Sequence, residues 1–222
     1  MANFNTVQRM EEAIKAGSAA SLRQLLDEDP ARAAIALGDG LTPVLMALYH
    51  KQPELAEILQ EHAGPLEWFS AAAVGDADRL AEHLSENPSV VNTHAADGNT
   101  ALHLAAFFRH GDAVAALLDA GADSDAVAKN RSKVRPIHSA IAGGSIEVAR
   151  QLLEAGAKPN TQQHGGWTAI QAAAHTGNLE MVRALLGHGA DPHIPGDDGK
   201  TAFDFASEHP DVLALLDARK DH

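Results

Sequence analysis

Apolar positions recur along this chain in two alternating helical registers. A compact run of small apolar residues comes first, and after a break a stripe follows at three- and four-residue spacing. The runs are Thr100-Ala-Leu-His-Leu-Ala-Ala, Arg135-Pro-Ile-His-Ser-Ala-Ile, Thr168-Ala-Ile-Gln-Ala-Ala-Ala and Thr201-Ala-Phe-Asp-Phe-Ala-Ser, and their first residues stand 35, 33 and 33 positions apart. The stripes are Val114, Leu117 and Leu118, then Ala149, Leu152 and Leu153, then Val182, Leu185 and Leu186. That spacing predicts amphipathic helices. Each ends on Gly-Ala, at Gly121, Gly156 and Gly189, where glycine accepts the left-handed backbone that closes a helix. Asp97-Gly98, Gly165-Gly166 and Asp198-Gly199 precede the next run and supply the positive φ of a tight turn. The repeating unit is turn, helix, helix.

A period of this length with threonine, alanine pair, leucine pair and Gly-Ala in register resembles the ankyrin-repeat family, whose unit of about 33 residues carries a T-P-L-H-x-A signature. Thr100 to Asp123 follows it nearly throughout, and looser copies begin at Asp39-Gly40-Leu41-Thr42-Pro43 and at Ala71, Ala72, Gly75, Leu80 and Leu84. The resemblance spans residues 6 to 216. It implies an all-α solenoid of about seven helix-turn-helix units, caps included, with short β-turn fingers. The expected division is a flexible 1–5, an N-terminal capping repeat 6–38, repeats at 39–64, 65–94, 95–127, 128–160 and 161–193, and a C-terminal capping repeat 194–222. Thr42, Thr100, Thr168 and Thr201 are placed to cap the first helix of their units. His103 and His138 fall at the family's structural histidine.

Three departures stand out. From Thr42 to Leu66, which takes the threonine's place in the next unit, is 24 residues. Ala63-Gly64-Pro65 must therefore join two helices directly, with Pro65 suited to the first helical position and a gap expected in the row of fingers. The finger before repeat five carries Lys129, Arg131, Lys133 and Arg135, with Arg135 in the threonine's place. In repeat four Arg109 replaces the glycine after the first helix, behind the adjacent Phe107 and Phe108.

In proteins that resemble this one, partner contacts come from the turns and from the seventh and eighth residues after the threonine. Carried over, these are Tyr49 and His50, Ala73 and Val74, Phe107 and Phe108, Ala142 and Gly143, and His175 and Thr176. The fingers add His94, Asp97, Asn99, Lys129, Arg131, Lys133, His164 and Trp167. Aromatics make up 4% of the chain, yet Tyr49, Phe107, Phe108 and Trp167 all land on positions the repeat would leave wet, and aromatic anchors dominate interface energy. Either phenylalanine can instead turn inward and fill a gap between repeats. The basic finger reads either as a solvated loop or as a steering element for a partner with an apolar side chain flanked by carboxylates.

Composition narrows the partner. Thirty acidic residues against 17 basic ones give a net charge of −13, which repels nucleic acid and anionic membrane surfaces. Cysteine is absent, so disulfides, thiolate metal sites and cysteine nucleophiles are out. The opening residues lack the basic start and apolar run of a secretory signal, and a cytoplasmic protein is expected. Thirteen histidines show no His-Glu-x-x-His spacing, and neither a nucleophile elbow nor a phosphate loop occurs. No metal, cofactor or catalysis is expected. The leading reading is a non-catalytic module holding a partner protein in its concave groove. The alternatives are a regulatory subunit or enzyme using the groove as a pocket, with His164 and His175 acting on substrate, and a self-associating scaffold.

Overall fold

The computed structural model describes residues 2–218. Seven helix pairs stack in chain order: α1 and α2 (Ala2–Lys15, Ala19–Glu28), α3 and α4 (Pro43–Tyr49, Pro53–Ala63), α5 and α6 (Trp68–Val74, Ala77–Glu86), α7 and α8 (Ala101–Phe107, Gly111–Asp119), α9 and α10 (Pro136–Gly143, Ile146–Glu154), α11 and α12 (Ala169–His175, Leu179–Gly187), and α13 and α14 (Ala202–Phe205, Pro210–Asp217). The stretch 1–5, expected to be flexible, is helical from Ala2. Met1 lies outside the described residues, as do residues 219–222 of the closing unit.

The alanine-rich runs form the inner helices and the leucine stripes the outer ones. Alanine at 101, 105 and 106, and at 169, 173 and 174, is fully buried, so neighbouring inner helices approach closely: α5 packs on α7, α7 on α9, α9 on α11 and α11 on α13. The outer stripes bury Val114, Leu117, Leu152, Val182 and Leu185 completely. At about 25 cal/mol per Å2, each such leucine or valine contributes roughly 1.5 to 3 kcal/mol. The buried side chains run without a break from Met10 to Leu216, a strip core rather than a central one.

Fingers close on backbone hydrogen bonds at residues 37–41, 95–99, 128–134, 163–167 and 196–200. Neighbours are tied in a row: the Lys129 amide donates to the Gly98 carbonyl, His164 to Ser132 and Asp197 to Gly165. Between α4 and α5 there is no finger, as the short spacing predicted, but the gap expected there is closed. Gly40 sits so near the next finger that a Cβ on it would come within 2.8 Å of the Ala96 Cβ. Pro65 is not the first helical residue. Gly64 ends α4, and α5 starts at Trp68 behind Glu67, whose carboxylate accepts from the Phe69 and Ser70 amides.

The expected threonine cap is made at Thr42, whose hydroxyl accepts from the Leu45 amide. In later units the third helical residue reaches back instead: His103 Nδ1, His138 Nδ1, Gln171 Oε1 and Asp204 Oδ2 accept from the amides of Thr100, Arg135, Thr168 and Thr201. Arg135 can therefore stand in the threonine's place without orphaning its N–H. The turn after each of the first six inner helices is left-handed. Glycine serves there at Gly75 and Gly144, whereas Lys51 (φ 57°) and Arg109 (φ 68°) adopt the same conformation with a side chain, at a strain on the order of 1 kcal/mol each.

Candidate functional site

The concave side carries a groove of about 390 Å3 between the fingers and the inner helices. Its floor is Leu104 of α7, Ile141 and Ala142 of α9 and Ala172 of α11; its finger wall includes Asn99, Asn130, Ser132, Val134 and Gln163. Tyr49 and Phe107 close one end, Trp167 and His175 the other. The Asn130 side chain is occupied, accepting from the Ser132 and Lys133 amides and donating to the Asp97 carbonyl. A second hollow of about 500 Å3 lies on the other side of Phe107, lined by Tyr49, Lys51, Phe108, Arg109 and Gly143 among others.

The Phe107 end is an aromatic cluster built across a missing finger. Tyr49, at the end of α3, skips the alanine-rich α5 and packs on Phe108 and Phe107 at the end of α7, with ring centroids 5.6 and 6.2 Å away. Its hydroxyl donates to Asp97 Oδ2 at 2.6 Å, and Asn99 Nδ2 donates to the same carboxylate oxygen. Burial, reinforced by the Asp97 carboxylate, pushes the phenol far above its usual range. At the other end Trp167 lies 4.4 Å from Phe205, and His175 meets both rings edge-on. Lys200 sits over Phe205.

Five histidines staple neighbouring repeats. His94, His103, His110, His138 and His209 each place Nε2 against a carbonyl of an adjacent unit, at Val127, Val134, Ala73, Thr161 and His175 respectively. For His103 and His138 the ring must be neutral, because Nδ1 accepts while Nε2–H donates. Burial pushes both down to about 4. Among the described residues no group of three or more histidines, aspartates and glutamates comes together as a metal site, and no helix is long and apolar enough to cross a membrane.

A family model for ankyrin repeats matches residues 68–163 and 156–221. The chain belongs to the ankyrin-repeat family. Ankyrin repeats generally serve protein–protein interaction. Similar proteins include the Neurogenic locus Notch protein of Drosophila melanogaster, 36% identical over 44% of this chain and 3% of its own length. The E3 ubiquitin-protein ligase XB3 of Oryza sativa subsp. japonica is 37% identical over 41% of this chain and 20% of its own. The BCL-6 corepressor-like protein 1 of Homo sapiens is 31% identical over 53% and 6%. The ankyrin chain thus corresponds to a fifth or less of each of these relatives.

On the ankyrin scaffold the residues singled out from sequence fall into four groups. Tyr49, Asn99, Phe107, Trp167 and His175 line the groove together. Phe107 is 37% exposed, while Phe108 is half-buried and faces the second hollow. His50, Lys129, Arg131, Lys133 and His164 are exposed but outside the lining; His94 and Asp97 are half-buried, held by Val127 and Tyr49. Alternation along the basic finger explains the cations' position, since Asn130, Ser132 and Val134 take the groove side. Two positions inferred from the family pattern are packing sites here: Ala73 is fully buried, and a Cβ on Gly143 would come 2.2 Å from the Phe107 carbonyl oxygen. Sequence reasoning misses Lys51, Gln163 and Ile141. Lys51 has a legible signal, because it stands where Gly75 and Gly144 stand in other units.

Proposed function

We propose that this ankyrin array is a non-catalytic module that holds one apolar side chain of a partner protein in the groove between Phe107 and Trp167. The observation that carries this reading is an exposed phenylalanine at the mouth of an apolar-floored groove of about 390 Å3, within the size range of sites that enclose a ligand group. Tyr49 acts as support rather than contact, since its hydroxyl is committed to Asp97. Lys129, Arg131 and Lys133, exposed on the finger above, steer an acidic partner toward the groove.

The test is selection of a displayed dodecapeptide library on the immobilised protein, followed by titration of the selected peptide against Phe107→Ala. Binding is expected to weaken by about 2 kcal/mol, with folding stability changed by less than about 1 kcal/mol, the loss typical of a half-exposed ring. A steep fall in melting temperature with affinity intact would make Phe107 a core residue and remove the basis of the proposal.

A further inference from the structure

Eight cations between Arg9 and Lys200 lie within 4.0 Å of a carboxylate, as a chain of net charge −13 makes easy. Most of those bordering the concave face do not: among the described residues, Lys51, Arg109, Lys129, Arg131, Lys133 and Arg135 form no ion pair, whereas Lys200 beside Phe205 is held by Asp198, and away from that face Arg150 alone is unpaired. Of these, Lys51 and Arg109 line the second hollow together with the Tyr49, Phe107 and Phe108 rings. Both occupy the left-handed turn after an inner helix, where four other units place Gly17, Gly75, Gly144 and Gly177. At the two turns beside the aromatic cluster glycine is replaced, each time by a cation. Non-glycine residues held in that conformation concentrate at functional sites, and a guanidinium and an ammonium left unpaired beside a hollow are complementary to an anion.

We infer that Lys51 and Arg109 form a carboxylate subsite on the side of Phe107 away from the fingers. The inference rests on the groove reading above and adds to it. The held segment carries an aspartate or glutamate at fixed spacing from its apolar anchor and lies in one orientation across Phe107. The anchor points toward the fingers, and the acid toward the turns after α3 and α7. The occupant is an acidic segment of another protein, because the unpaired cations are the one charge feature that sets this face apart from the rest of an acidic molecule.

The conformation that makes these positions unusual also makes them testable, since glycine is the residue their backbone prefers. The double variant Lys51→Gly, Arg109→Gly is expected to melt at the same temperature as the wild type or higher. Dodecapeptides selected on the wild type are expected to share an apolar residue and an acidic residue at one spacing. The consensus peptide should bind the double variant about tenfold more weakly, as for loss of a close charge pair, while its analogue with glutamine for the acid should bind both proteins alike. The inference fails, with the groove reading intact, if the consensus is apolar without an acid, or if the glutamine swap costs the same on both proteins. No apolar consensus, or one indifferent to Phe107→Ala, overturns both readings. A dimer in sedimentation velocity that blocks selection and dissociates in the double variant assigns the face to a second copy, and overturns the inference as well.

Discussion

Between pH 7 and pH 4.5 the protein is expected to lose about 5 kcal/mol of folding stability through two imidazoles, His103 and His138. Both are buried and neutral in the fold, with values pushed down from 6.5 to about 4. The unfolded chain takes up a proton on each as the pH falls through 6.5, and the native state resists until about 4. Their full contribution is therefore present above 6.5 and drains away below it, each imidazole losing about 1.36 kcal/mol for every further drop of one in pH. His110, lowered by burial, acts in the same direction. The carboxyls of Glu11, Glu28 and Asp204, held below their ordinary range by hydrogen bonds, stabilise the fold at higher pH and lose that effect only below about 4.5, so they fall outside the window. Gln171 supplies a built-in control. Its Oε1 accepts from the Thr168 amide and its Nε2 donates to the Ile194 and Lys200 carbonyls, matching the histidine pattern without a titratable group. The double variant His103→Gln, His138→Gln should keep its fold at pH 7 and show a much flatter profile in urea unfolding at pH 7 and 4.5. An unchanged slope in that variant would assign the acid sensitivity to other groups.

The second large effect is steric. Gly143→Ala adds one methyl group to the last residue of α9, where alanine's helix propensity would ordinarily raise stability. Here the new Cβ would lie 2.2 Å from the Phe107 carbonyl oxygen, so repeats four and five must separate. We expect a loss of about 3 kcal/mol. Gly187, at the same place in α12, meets nothing within 4 Å, and Gly187→Ala should gain roughly 0.5 kcal/mol from helix propensity alone. Chemical denaturation of the two variants side by side checks the pair. Similar effects of the two substitutions would show that α9 and α7 do not approach as closely as described.

Much of this architecture is legible in the sequence. Register, unit number and the missing finger between Ala63 and Trp68 follow from short-range patterns, because each unit buries its stripe chiefly against its neighbours. Phe107, Trp167 and His175 can be placed in the groove because repeat position dictates the direction of a side chain. What escapes depends on geometry across units. The closure of the finger row at Gly40 and Ala96 requires knowing how far α5 sets back, and the partner of the Tyr49 hydroxyl, Asp97, lies 48 residues away. Alternation along the 129–134 finger hides another point: the conspicuous cations crown the loop while Asn130 and Ser132 face inward. Lys51 escapes because its unit is a loose copy of the repeat, in which the glycine position is harder to register than at Arg109.

Linear arrays usually melt like a zipper, each link holding only the next. The Tyr49 bridge from the second unit to the fourth, together with the Gly40 and Ala96 abutment, breaks that rule by adding a second-neighbour link. Units two to four are thereby expected to open as one cooperative block, with the third unit clasped between its neighbours. The Tyr49 and Phe107 end of the groove belongs to that block, so it should persist until the whole block opens, however far the chain ends have frayed.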